Sequence, residues 1–133
     1  MKSKRFSAFT LNEMLLVLAI ISVLLMLSFP SLMGFLTKAK AQEAKIQLKH
    51  LSTLQTQYRY TNSVYSMDIN VIDFEPPLTV TQGGTANYRY EIIEASATTF
   101  KARAEAVVDF DGDGIFNVWE IDEKGVSIEK VKD

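Results

Sequence analysis

MLLVLAIISVLLMLSFPSLMGFLT, residues 14–37, contains no charged residue and decides how the rest of the chain is read. At about 1.5 Å rise per residue, a helix of this length crosses a hydrocarbon core of roughly 30 Å with a little to spare. Lys2, Lys4 and Arg5 precede the run. Flanking cations of this kind hold the N-terminal end in the cytoplasm, so the rest of the chain is expected to be exported. A cleavable export signal is the competing reading, because Ala39-Lys40-Ala41 has the small-x-small form of a cleavage site. The run is too long for that, since signal-peptide cores have roughly 7 to 15 apolar residues. A single membrane-spanning helix is expected.

Downstream, the apolar periodicity outlasts the lipid-compatible run. Ala41, Ala44, Leu48, Leu51, Gln55 and Tyr58 follow at spacings of three and four, which is the stripe of an amphipathic helix. Lys38, Lys40, Lys45 and Lys49 fall largely off this stripe and read as its solvated face. One helix from about Phe9 to about Tyr60 is expected, roughly 75 to 80 Å long at the same rise. Its first half is apolar all round and its second half amphipathic. Pro30 is the interior breaker, where a kink or an easily melted point is expected.

After Thr61-Asn62 the pattern changes to short alternating runs. Pro76-Pro77 and Gly83-Gly84 mark a loop region from about Ser63 to Asn87. Strands are expected at Tyr88–Ile93, Phe100–Val108, Phe116–Ile121 and Val126–Val131. In the second of these, Phe100, Ala102, Ala104, Ala106 and Val108 share one face. Asp122-Glu123-Lys124-Gly125 is a tight-turn sequence between the last two. A sheet with one apolar face needs a cover, and the amphipathic half of the helix is the available one. The fold class is therefore α+β: a long N-terminal helix packed on a small antiparallel sheet of about four strands. Tyr58, Tyr60 and Tyr65 are expected where helix meets sheet.

Charge divides in the same place. Of 133 residues, the first 62 carry a net +6 and the remainder a net −8, which sum to the bland overall −2. The absence of cysteine excludes disulfides, thiolate metal sites and thiol nucleophiles. The one histidine, His50, cannot alone furnish a two-histidine zinc site, and a serine-histidine triad would have to be built on it. It reads as a solvated helix residue. Asp111 and Asp113 lack the complementary groups of a catalytic carboxylate pair, and Gly83-Gly84 has no phosphate-binding pattern around it. No enzyme and no nucleic-acid partner is expected.

The junction Ser7-Ala8-Phe9-Thr10-Leu11-Asn12-Glu13 followed by the apolar run resembles the N-terminus of type IV pilins and of the related type II secretion pseudopilins. The resemblance implies cleavage between Ala8 and Phe9 by a prepilin peptidase, which also methylates the new Phe9 amine. The usual residue before the cut is glycine; here it is alanine. Glu13, fifth from Phe9, is the one charge between the leader and Lys38. A carboxylate at the edge of an apolar helix is costly without a partner, and the resemblance implies that it neutralises the N-terminal amine of a neighbouring subunit. Pro30 falls where the family commonly carries proline, which implies a helix that can unfold there in the filament. The organisation so implied is a leader at 1–8, an assembly helix at 9–36, an amphipathic half at 37–62, and a β head at 63–133. The precursor would sit in the inner membrane and pass, through an inner-membrane assembly platform, into a homopolymer or a filament mixed with other pilins. A pseudopilin of a type II secretion system and a non-polymerising membrane-anchored calcium-binding protein are the alternatives.

Within the head, residues 109–120 read Asp-Phe-Asp-Gly-Asp-Gly-Ile-Phe-Asn-Val-Trp-Glu. They fit the twelve-residue calcium pattern D-x-D-x-D-G-x5-E throughout. Alternate carboxylates converge on one hard cation, and the sixth-place glycine makes the turn. The template assigns Asp109, Asp111, Asp113, the Ile115 carbonyl, Asn117 through water, and Glu120 as ligands of Ca²⁺. The flanks read as strands rather than the helices of an EF-hand, which would carry Glu120 away from the aspartates. Calcium is expected to replace a disulfide as the staple of the C-terminal hairpin.

Overall fold

The computed structural model describes residues 8–133, with Pro30 and Ser31 as backbone; all but the last residue of the expected leader lies outside the described residues. One helix, α1 (Leu11–Asn62), is followed by a 3₁₀ turn at Val80–Gln82 and four strands: β1 (Tyr88–Ala95), β2 (Phe100–Ala106), β3 (Val118–Asp122) and β4 (Ser127–Val131). The helix continues through position 30 without interruption. By length and composition it is apolar enough to cross a membrane. The chain divides into two compact units, Met1–Phe35 and Leu36–Asp133.

In the first unit the apolar side chains of α1 from Leu11 to Phe35 are exposed on every side, as in a helix built for lipid or for other helices. Ser22 and Ser28 hide their hydroxyls in this surface by bonding back to the carbonyls of Leu18 and Leu24, 2.7 and 2.9 Å away.

In the second unit the strands form one antiparallel meander in the order β1-β2-β3-β4. The stripe expected of the helix is the one buried: Ala41, Ala44, Leu48, Leu51 and Gln55 are all inside, with Tyr58 packed at the margin. They share a core with Tyr88, Phe100, Ala102, Ala104 and Ile121 from the sheet. Gln55 is polar and buried because it acts as a surrogate strand partner. Its amide donates to the Ser66 carbonyl at 2.6 Å and accepts from the Ser66 N–H at 3.0 Å, pinning the start of the long connection. The opposite face of the sheet is a ladder of ion pairs, Arg89–Glu105, Arg103–Glu91, Arg103–Glu120, Lys130–Glu120 and Lys101–Glu94.

Three expectations are corrected. First, β2 ends at Ala106 and β3 begins at Val118, so the acidic connection spans residues 107–117. Phe116 is partly exposed rather than a strand residue, because Asn117 beside it turns fully inward. Second, the lysine face is solvated only in part: Lys38 and Lys49 are exposed as expected, whereas Lys40 and Lys45 are half-buried. Lys40 lies 4.3 Å over the Phe110 ring, Lys45 lies 4.4 Å over Trp119, and Lys49 donates to the Gly125 carbonyl at 3.2 Å. Third, Tyr65 stacks on Phe100 at the helix–sheet junction, but Tyr60 is 87% exposed and caps nothing. His50 is exposed as expected, its ring edge-on to Phe74 with the centroids 5.7 Å apart.

Candidate functional site

Two places carry the chemistry singled out in the sequence, one in each unit. At the start of α1, Thr10 and Glu13 form a reciprocal cap. The Glu13 carboxylate accepts from the Thr10 N–H at 2.7 Å and the Thr10 hydroxyl at 2.9 Å, and the Glu13 N–H reaches the Thr10 hydroxyl at 3.3 Å. Thr-Leu-Asn-Glu is a capping-box sequence, and it satisfies donors that the first helical turn leaves without partners. The acid therefore has a local occupation that the sequence reading did not assign to it. Ala8 and Phe9 precede this cap and are exposed, Phe9 at 79%. The bond expected to be cut is thus outside the helix and open to approach.

In the second unit the aspartates of the acidic connection fold back on their own backbone. Asp109 is the centre. One of its oxygens accepts from the N–H groups of Gly112 at 2.6 Å and Asp111 at 3.2 Å, and the other accepts from Gly114 at 2.6 Å. Asp111 accepts from the Asp113 N–H at 3.1 Å, and Asp113 from the Ile115 N–H at 2.7 Å. Both glycines have φ of +86°, the left-handed conformation that makes so tight a coil possible. The N–H groups of Gly114 and then Gly112 hold the Asp109 carboxyl below the usual aspartate range.

Asp133 joins this group from beyond β4. Carboxylate oxygens of Asp109, Asp111, Asp113 and Asp133 all lie within 4.8 Å of one another. One Asp133 oxygen accepts from the Phe110 N–H at 2.9 Å, while the other is enclosed without a hydrogen-bond partner. Burial, opposed by the Phe110 N–H and reinforced by the three neighbouring aspartates, raises its pKa above the ordinary value. Four carboxylates on one small volume are the donor set of a hard cation such as Ca²⁺. The Phe110 ring anchors the coil, 5.8 Å from the Tyr88 ring and beneath Lys40.

Two residues of the twelve-residue template are placed elsewhere. Glu120 lies on β3, where it accepts from the Arg103 guanidinium at 2.8 and 3.1 Å. A strand fixes its direction, so it serves the ion-pair ladder and not the aspartates. Asn117 is fully buried. It accepts from the Tyr88 hydroxyl at 2.8 Å and donates to Glu129 at 2.8 Å and the Val131 carbonyl at 3.0 Å. Its side-chain bonds tie the core to β4. Ile115 remains next to the cluster through its bond to Asp113. Asp133 was missed because no spacing rule links it to residue 109. The signal was in the pairing: Val131 lies opposite Val118, so the chain two residues on runs alongside the acidic coil.

No protein-family model matches the chain. It is 31% identical over 119 residues to the type IV major pilin protein PilA of Myxococcus xanthus (strain DK1622), an alignment covering 86% of this chain and 51% of that protein. The chain thus spans about half the length of the curated relative it matches.

Proposed function

We propose that this chain, a homologue of a type IV major pilin with the long apolar helix and antiparallel sheet of such proteins, is a structural subunit of a type IV pilus filament. The observation that carries this reading is the exposed apolar segment of α1, which no other described residue covers. Moving it from lipid into a bundle of its own copies gives a heterologous contact that does not close, and such contacts grow filaments. The role is structural, and no catalytic step is assigned to it.

In this reading a prepilin peptidase cuts between Ala8 and Phe9 and methylates the Phe9 amine. Glu13 then exchanges or shares its Thr10 donors with the ammonium of a neighbour, which fixes axial register. Pro30 marks where the helix yields under tension. Mass spectrometry of the mature N-terminus, with imaging of surface filaments in a deletion strain, tests this. A methylated Phe9 and loss of filaments are expected. An uncut chain would leave a membrane-anchored head that never polymerises, and cleavage after Ala41 would release a head without its apolar helix; either would remove the filament reading. Glu13→Ala is expected to abolish assembly while leaving membrane insertion intact.

The acidic coil is proposed to hold Ca²⁺ through Asp109, Asp111, Asp113 and Asp133, with the Ile115 carbonyl as a further donor. The support is the convergence of four carboxylates and the enclosed, partnerless Asp133 oxygen. Bound there, the ion would tie the 107–117 connection to the chain leaving β4, the work a disulfide would otherwise do. Calcium is expected to raise the melting temperature and protease resistance relative to chelator; no change in either would remove the proposal.

A further inference from the structure

We propose that Asp109 guards two Asp-Gly links, Asp111–Gly112 and Asp113–Gly114, against self-isomerisation, which makes this coil a latent site of backbone modification. The chemistry needs only the chain and water. The glycine amide nitrogen attacks the side-chain carboxyl carbon of the preceding aspartate. The carboxyl takes a proton from water, an N–C bond forms as its C–OH bond breaks, and the hydroxyl leaves with the amide proton as water, giving a five-membered succinimide. Water then re-adds at one of the two ring carbonyls. Opening at the former backbone carbonyl leaves the chain running through the aspartate side chain, an isoaspartyl link with one extra backbone carbon. Glycine presents the least hindered nitrogen to this attack, so Asp-Gly is the vulnerable sequence.

Two such links lie in tandem here, in an exposed coil. Nothing crowds either glycine: a Cβ built on Gly112 or Gly114 would meet no atom within 4 Å. Steric packing therefore does not protect them, and hydrogen bonding does. The two attacking nitrogens donate to the two oxygens of one carboxylate, Gly112 and Gly114 each 2.6 Å from Asp109. Short bonds to an ionised acceptor are the strong kind. The target carboxyls are also engaged. Asp111 and Asp113 each accept from the N–H two residues ahead, at 3.1 and 2.7 Å. For either glycine nitrogen to attack, its bond to Asp109 must first break. This protection needs no bound cation.

The test is to age the full chain in detergent at neutral pH in chelator, and to map isoaspartate by fragmentation mass spectrometry and enzymatic isoaspartyl methylation. Asp109→Ala is expected to isomerise at both Asp111 and Asp113 about tenfold faster or more than the natural chain. Asp109→Asn keeps one acceptor oxygen, so only one of the two sites is expected to accelerate. That split is not produced by general loosening. Equal rates in Asp109→Ala and the natural chain would overturn the proposal. So would a natural chain that ages as fast as a free peptide of residues 107–118. A parallel rise at Asp68, Asp73 and Asp122 would show loss of the fold and would equally overturn it.

Discussion

Asn117→Ala separates a structural connector from a cation ligand. In the structure the Asn117 side chain is enclosed and makes three bonds, to the Tyr88 hydroxyl, to Glu129 and to the Val131 carbonyl. Truncation leaves the Tyr88 hydroxyl buried without an acceptor and frees two groups of β4. A buried polar group deprived of its partner costs about 1–3 kcal/mol, so the total is about 3–5 kcal/mol. A unit the size of Leu36–Asp133 loses about 4–8 °C of melting temperature per kcal/mol, which predicts a drop of about 12–40 °C. Tyr88→Phe keeps the ring against Phe110 and removes one bond, for about 1–2 kcal/mol. Because both changes remove the Tyr88–Asn117 bond, the double variant should lose less than their sum. Trp119 is the single tryptophan and is buried on β3, so its fluorescence reports unfolding of this unit. The measurement is a melt in chelator and then in calcium. If Asn117→Ala left the chelator melt unchanged and weakened only the calcium response, Asn117 would be a ligand as the twelve-residue pattern has it, and the connector reading would fall.

Glu120→Gln should leave the calcium response intact and cost on the order of 1 kcal/mol through its ion pair with Arg103; a lost calcium response would return Glu120 to the cation site. The pH dependence has a definite sign. Asp133, raised by burial, costs stability at neutral pH and returns it as pH falls through its folded pKa, whereas depressed Asp109 contributes stability that is lost as pH falls through its own. In chelator the melting temperature should therefore rise on mild acidification and then fall; with saturating calcium it should only fall, and a monotonic fall in chelator would refute the assignment. Gly84→Ala would place a Cβ 2.0 Å from the Leu78 carbonyl oxygen, against backbone that cannot swing aside. About 2–3 kcal/mol of destabilisation is expected, with faster hydrogen exchange at Val80 and Ala86; an unchanged melt would show that this turn is not held as described.

Spacing made the helix legible. A stripe at three and four residues put Ala41, Leu48 and Leu51 in the core with no knowledge of the sheet, and alternation did the same for Phe100 to Ala106. Gln55 fitted the stripe only as a position; that it replaces a strand partner for Ser66 depends on a loop whose path no periodicity encodes. The acidic site was half legible. Asp109, Asp111 and Asp113 are local and follow from one turn of backbone, whereas Asp133 arrives through the β3–β4 register and Glu120 leaves by the same strand geometry. The solvated-face expectation holds for Lys38 and Lys49 and not for Lys40 and Lys45, whose destinations, Phe110 and Trp119, lie far along the chain. Long-range partners decide whether a charged side chain is solvated, and a single helix pattern does not contain them.

The ladder on the open face of the sheet has one more effect. Arg89, Lys101, Arg103 and Lys130 are matched there by Glu91, Glu94, Glu105 and Glu120, and Asp122, opposite Lys101, leaves the face with one unmatched negative charge. The acidity of residues 63–133 is thereby stripped from the broad surface and left to a few places, chief among them the Asp109–Asp113 coil with Asp133. If the coil holds the divalent ion proposed for it, the paired face does little to divert that ion, and the densest group of carboxylates draws it in.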